Sequence, residues 1–263
     1  MKRSAALIMV FPVGVLCLWS GGVAQSKEDV KWLYKNAKML HNMAKSKRDF
    51  KAAIEKYHEA LKAAEKAQDK TLAAEVCRKL GAAYDKLQAY GKARDYLERA
   101  LGLFKEQQDR IGEIKCLGGL GLLYTHMGEY ALSVDYLNQT LAKCRESENQ
   151  KCEVITLQAL EDAERQEGKH AKAIEFYEEG LQIARRLHSV KGEGKLQDRL
   201  GNTYRRMKKY KKTVEHYEKA LAMAKKAGLR KGEARGLGNL GLVYQDRGEW
   251  KKALEYFDKS LAI

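Results

Sequence analysis

The chain has a single proline, Pro12, in 263 residues, so no position beyond it carries the side chain that most strongly breaks a helix. Valine, isoleucine and threonine are sparse beside alanine, leucine, lysine and glutamate, a balance that disfavours strands. Cysteine is scarce as well. Five are present with no C-x-x-C pair, and the six histidines show no i, i+4 pairing. That leaves neither the spacing of a zinc site nor the density of a disulfide framework. P-loop, H-E-x-x-H and G-x-S-x-G patterns are missing. Acidic residues and histidines sit on polar helix faces, without a fixed nucleophile, base and orienting group. The chain is expected to be no enzyme and to hold no cofactor or metal.

What is present is periodic. Leu240-Gly241-x-x-Tyr244 is followed by Trp250, Ala253, Phe257 and Leu261. Forty residues earlier stand Leu200-Gly201-x-x-Tyr204, Tyr210, Val214, Tyr217 and Leu221. Further steps give Leu160 with Ala173 and Tyr177, then Leu120-Gly121-x-x-Tyr124, Leu80-Gly81-x-x-Tyr84, and Leu40 with Phe50, Ala53 and Tyr57. Six copies in one register, without insertion or deletion, define a repeat protein. Each unit reads as two helices. Leu72, Val76, Leu80, Ala83, Tyr84 and Leu87 mark one face over residues 71–87, and Ala93, Tyr96, Leu97, Ala100, Leu101 and Phe104 another over 92–105. The break between them falls at Gln88-Ala89-Tyr90-Gly91, and Asp109, Asn149, Ser189 and Gly228 mark the turns between units. Loops this short make neighbouring helices antiparallel. The expectation is an all-α solenoid of about six hairpins, with repeats near 30–69, 70–109, 110–149, 150–189, 190–229 and 230–263, the last incomplete. One hairpin cannot bury its apolar face alone, and stacking supplies the core.

Gly81, Gly121, Gly201 and Gly241 recur in mid-helix, where glycine costs up to about 1 kcal/mol relative to alanine. Their register predicts close approach of a second helix, with Ala93, Ala173, Ala253, Ala60, Ala100 and Ala220 facing them. Tyr84, Tyr124, Tyr204 and Tyr244 are expected to fill the space between consecutive hairpins. The fourth copy departs: Glu161 replaces the glycine, Glu164 the tyrosine and His170 the aromatic. Two carboxylates at core register should loosen residues 152–170 into a hinge unless they face solvent or find partners. Gly236-x-Gly238-x-x-Gly241 matches a dinucleotide pattern but lies inside a repeat helix with no strand before it, so Gly241 is read as a packing residue.

The Leu-Gly-x-x-Tyr signature, an aromatic six residues later, then Ala and Ala-Leu, resembles the tetratricopeptide repeat over about residues 30–263. The usual period is about 34. The 40-residue form, with Gly232-Glu233-Ala234 and Gly192-Glu193-Gly194 opening first helices, is similar to G-protein-signalling modulators, kinesin light chains and bacterial repeat proteins that precede caspase-like CHAT domains. The resemblance implies a right-handed superhelix that holds a peptide or protein in its concave groove. An alternative is a targeting or regulatory arm of a longer polypeptide that carries an effector domain. By the same resemblance the groove positions include Lys35, Lys38 and Asn42, then Arg78, Lys115 and Arg165. Lys195, Arg199, Asn202 and Arg205 follow on the fifth unit, and Arg235 and Asn239 on the sixth. Basic residues outnumber acidic ones there, which favours an acidic ligand. Arginine forks onto carboxylates, and asparagine can hold a peptide backbone by donor and acceptor together. Lys38 and Asn42 supply the first part of the chaperone-tail carboxylate clamp of some relatives; Lys79, then Lys115 with Gly119, do not complete it.

The net charge is +15, a field that raises encounter rates with acidic partners, anionic lipid surfaces or nucleic acid without choosing among them. Nucleic acid is not favoured, because the basic residues spread over both helices of each hairpin and the aromatics sit at core register. Lys2 and Arg3, the apolar run 5–19 and Gly22-Val23-Ala24 read as a signal peptide over residues 1–24, cleaved before Gln25. The alternative is an uncleaved membrane anchor; with the signal removed, no span remains. Export to the periplasm or medium is expected, and Cys17 is a poor lipid acceptor, with Leu16 where a small residue is needed. Cys144 closes one helix and Cys152 opens the next, so those two either bridge or, like Cys77 and Cys116, act as small buried hydrophobes. The last helix has no polar capping helix after it, which leaves end-to-end self-association open.

Overall fold

The computed structural model of the chain describes residues 27–263; the signal-peptide reading lies outside them. Twelve helices follow one another: α1 Lys27–Met43, α2 Lys47–Lys66, α3 Lys70–Lys86, α4 Tyr90–Glu106, α5 Arg110–Met127 and α6 Tyr130–Glu146, then α7 Gln150–Gln166, α8 His170–Arg186, α9 Val190–Arg206, α10 Tyr210–Lys226, α11 Arg230–Asp246 and α12 Trp250–Leu261. Among the described residues there is no strand. Each odd-numbered helix packs antiparallel on the even one after it. The odd helices α1, α3, α5 and α7 also touch one another in series, forming the inner layer of a right-handed helical solenoid.

The backbone repeats every 20 residues rather than only every 40. Each helix from α2 to α11 ends on one residue in the left-handed region: Gln68, Gln88, Gln108, Gly128, Glu148, Gly168, His188, Lys208, Gly228 and Gly248. The next amide then donates back five residues, as in Ala89 N to Tyr84 O at 3.0 Å and Glu249 N to Tyr244 O at 2.8 Å. This 6→1 bond closes a helix C-terminus around a left-handed residue. Ten identical turns explain the absence of insertions, since one extra residue would rotate every following helix. They also place Tyr90, Tyr130, His170, Tyr210 and Trp250 on the first turn of a helix rather than in the break expected from sequence. Asp69, Asp109, Asn149 and Ser189 cap α3, α5, α7 and α9 by accepting from an amide three residues on. Ser46 and Asp49 form a capping box on α2.

The four repeat glycines do mark close approach: a large side chain meets each of them first, and at Gly81 the carbonyl oxygen of the facing Ala93 follows at 3.0 Å. A Cβ on Gly81 would lie 2.6 Å from Leu97 Cγ, on Gly121 2.6 Å from Leu137 Cγ, on Gly201 2.5 Å from the Tyr217 ring and on Gly241 2.6 Å from the Phe257 ring. The side chain of the second helix fills the notch, a knob four residues beyond Ala93 or Ala253. Gly241 is thus a packing residue, and Gly236 lies against Leu221 in the same way.

The repeat tyrosines stack within a hairpin on the residue twelve places later. Tyr84–Tyr96, Tyr124–Tyr136, Tyr204–His216 and Tyr244–Tyr256 lie 5.1 to 5.6 Å apart, within 10° of parallel. In the fourth hairpin the equivalent pair is Glu164 and Phe176. There Glu164 is buried with Oε2 unpartnered, and Nδ1 of His170 is also buried without a partner.

Cys144 and Cys152 form a disulfide between α6 and α7, with Cα atoms 5.7 Å apart. Cys77 and Cys116 are free and buried. Burial pushes the Cys77 thiol up to about 11 and the Cys116 thiol up to about 12, so neither ionises near neutral pH. They behave as the small hydrophobes expected.

Candidate functional site

The residues expected to line the groove lie on the inner helices α1, α3, α5, α7, α9 and α11, and they fall into two groups. In the later hairpins the arginines are already engaged by carboxylates of their own layer. Arg165 contacts Glu161 at 3.1 Å and Asp162 at 2.7 Å. Arg199 on α9 reaches back to the same two, at 2.8 and 3.3 Å. Arg205 forks onto Asp246 at 2.6 and 3.2 Å. Arg235 lies 3.2 Å from Asp198, which also accepts from Asn239 at 2.7 Å. Asn202 accepts from the Tyr217 hydroxyl at 2.7 Å. Earlier in the chain, Arg78 pairs with Glu75, and Glu75 accepts from Tyr34 at 3.0 Å.

Several of these links join residues 41 apart: Tyr34 to Glu75, Asp85 to His126, Asp198 to Asn239 and Arg205 to Asp246. One period plus one residue is the offset at which polar side chains on successive inner helices meet. Groove positions considered one repeat at a time do not reveal Asp246 and His126, whose partners stand on the preceding inner helix. Opposite charges at 41-residue spacing were the available signal.

Glu161 is the centre of this lattice. It stands where other hairpins have the notch glycine, fully buried opposite Tyr177, and the Tyr177 hydroxyl, Arg165 and Arg199 converge on it. Burial dominates and raises its carboxyl above the usual range despite those donors. Asp198 is raised for the same reason, burial outweighing Arg235 and Asn239. Glu75 goes the other way: burial opposes it, but Arg78 and Tyr34 hold it below the usual range. Arg165, Arg199, Asn202 and Arg205 line a basin of about 610 Å³ that is closed by Asp162 and Asp246.

The remaining positions differ. Lys35, Lys38, Asn42, Lys115 and Lys195 are exposed, and among the described residues none has an ion-pair partner. Lys38, Lys79 and Lys115 stand on three successive inner helices, close enough for Lys38 and Lys115 to act on Lys79. Burial lowers the Lys79 ammonium first, then Arg78; the two lysines add to it while Glu75 opposes. The positive charge of the groove that is not neutralised internally therefore lies on α1, α3 and α5, with Lys195 as an outlier on α9. Among the described residues no cluster with metal-ligand character occurs, and no helix is long and apolar enough to cross a membrane.

Comparison with solved structures places the architecture. Aspartyl phosphate phosphatase F from Bacillus subtilis superposes with a TM-score of 0.68 at 13% identity, covering 89% of this chain and 69% of that one. A putative kinesin light chain from Podosopora anserina gives 0.61 at 17% identity, covering 72% and 93%. A Rap protein complexed with competence and sporulation factor gives 0.61 at 13% identity, covering 89% and 74%. No curated protein sequence matches closely enough to add to this. In sequence, one tetratricopeptide repeat model matches residues 114–186 and 193–263, and a second matches residues 74–107. With more than half of its length matched by the first of these alone, and with stacked antiparallel hairpins throughout the described residues, the chain belongs to the tetratricopeptide repeat family.

Proposed function

We propose that the protein is a non-catalytic scaffold that holds an acidic peptide or protein segment in its concave groove, engaged chiefly through Lys38, Lys79 and Lys115. The observation that carries this is the convergence of those unpaired ammonium groups from the successive inner helices α1, α3 and α5, with Lys38 and Lys115 close enough to disfavour the charge of the half-buried Lys79. A ligand carboxylate placed among them relieves that repulsion, whereas the later arginines would first have to release Glu161, Asp162, Asp198 or Asp246. A Rap neighbour was solved in complex with a Phr* peptide, which supports a peptide as a ligand class for this architecture. Export is part of the reading, supported by the leader-like residues 1–24 and by the Cys144–Cys152 bridge, which persists in an oxidising compartment.

The test is a fluorescence-anisotropy titration with a labelled peptide rich in Asp and Glu, beside its Asn and Gln counterpart. The acidic peptide should bind more tightly, and Lys38→Glu with Lys79→Glu and Lys115→Glu should weaken it at least tenfold. Equal binding of the two peptides, or an unaffected triple variant, refutes the proposal.

A further inference from the structure

A second cavity, of about 400 Å³, opens between α9, α10 and α11. Its walls are apolar: Ala220, Met223 and Ala224 from α10, Leu229 from the turn and Val190 from the start of α9. Glycines complete it. Gly194 and Gly236 stand where the hairpin before has Val154 and Leu196, and the one before that has Ile114 and Thr156. The interface between the last two hairpins thus lacks side chains that the equivalent interfaces carry. Part of that space is taken up by closer packing, since a Cβ on Gly194 would lie 3.0 Å from Met223 Cβ and one on Gly236 3.2 Å from Leu221 Cβ. The rest is the cavity.

Its rim is basic. Lys191, Lys195 and Lys231 are exposed and, among the described residues, have no ion-pair partner. The carboxylate at the rim, Asp198, is held by Arg235 and Asn239. Arg230 donates to the Ile263 carbonyl. Lys195 and Asp198 also belong to the groove face of α9, so the cavity opens where the groove runs. A volume in the small-ligand range, apolar walls and unpaired cations at the mouth suit one large apolar side chain flanked by carboxylates.

We propose that this cavity is an anchor pocket for a leucine or phenylalanine side chain of an acidic peptide, with the flanking carboxylates on Lys191, Lys195 and Lys231. The inference rests on the groove reading but places a different contact on a different pair of hairpins.

The experiment titrates the full purified chain with three labelled nonapeptides of the same acidic composition, bearing Leu, Ala or Lys at the centre. Leu should bind at least tenfold more tightly than Ala, since complete burial of three further carbons corresponds to about fiftyfold, and Lys more weakly still. Val190→Trp, which places a ring across the mouth from a half-exposed position, should remove the preference for Leu. Lys191→Glu with Lys231→Glu should weaken all three peptides at least fivefold. Circular dichroism confirms that both variants are folded. Equal binding of Leu and Ala peptides, or a preference for Leu that survives Val190→Trp, overturns the pocket. So does binding of octanoate that Val190→Trp abolishes while no peptide binds. If the pocket variants act as expected and the Lys38, Lys79 and Lys115 variant does not, the pocket stands and the groove reading falls; the reverse pattern sinks the pocket alone.

Discussion

Two glycine-to-alanine substitutions on adjacent helices should act with opposite sign. Gly102 lies in the exposed middle of α4 with nothing within 4 Å of where an added methyl would sit, whereas a Cβ on Gly81 in α3 meets Leu97 Cγ at 2.6 Å and the Ala93 carbonyl oxygen at 3.0 Å. Both substitutions gain the same helix propensity, up to about 1 kcal/mol. Gly102→Ala keeps all of it, which corresponds to a rise in Tm of about 2–4 °C for a chain of this size. Gly81→Ala must also displace a leucine and a backbone oxygen. Overpacking of that kind costs about 1–3 kcal/mol. The propensity gain cancels in the comparison, so the two variants should differ by that strain alone, with Gly81→Ala the less stable. Urea unfolding followed by helical circular dichroism gives the ordering, and hydrogen exchange on α3 and α4 guards against partial unfolding of a repeat array. If Gly81→Ala stabilises the chain as much as Gly102→Ala, the notch glycines are not packing sites and the account of the inter-helix contact is wrong.

Other consequences are open to the same assays. Gln88→Gly and Lys208→Gly relieve side chains held at φ 62° and 57° and should each stabilise by about 1 kcal/mol, while Gly228→Ala should cost a similar amount. Reducing the Cys144–Cys152 bridge removes a closed loop of sequence separation 8 and should cost about 2–3 kcal/mol. Thiol counting in denaturant should find Cys77 and Cys116 reactive and Cys144 and Cys152 not; labelling of Cys144 and Cys152 before reduction excludes the bridge. Because the Glu161 carboxyl is raised in the folded chain, its contribution is complete below the usual 4.5 and is lost as pH rises through its folded value. Glu161→Gln should therefore flatten the fall in stability as pH rises above 4.5, and an unchanged pH profile counts against the burial of that charge. Hydrogen exchange decides the hinge over residues 152–170: Glu161 has its partners there, whereas Glu164 and His170 keep unpartnered buried atoms, so α7 should exchange faster than α5 and α9.

The one-dimensional pattern was enough for the architecture. A 40-residue register of Leu, Gly, Tyr and Ala names the faces that must be buried, and short turns without proline leave antiparallel stacking as the way to bury them. Helix order, the packing role of Gly241 and the burial of Cys77 and Cys116 follow from that periodicity, because each depends on neighbours whose sequence distance is fixed. The turns were less legible. Six of the ten left-handed positions are not glycine, so the 20-residue backbone period has no residue signature, and the first turn of α4 reads as a break in the sequence. Partner choice was not legible at all. Whether Arg199 is free or bound depends on Glu161 and Asp162, 38 and 37 residues away on another helix. Net charge counts both members of such a pair, but only their separation in space decides which of them a ligand can reach. For the same reason Gly194 and Gly236 read as ordinary small residues in sequence. The cavity they leave exists only because α9, α10 and α11 bring Met223, Leu229, Lys191, Lys195 and Lys231 around it.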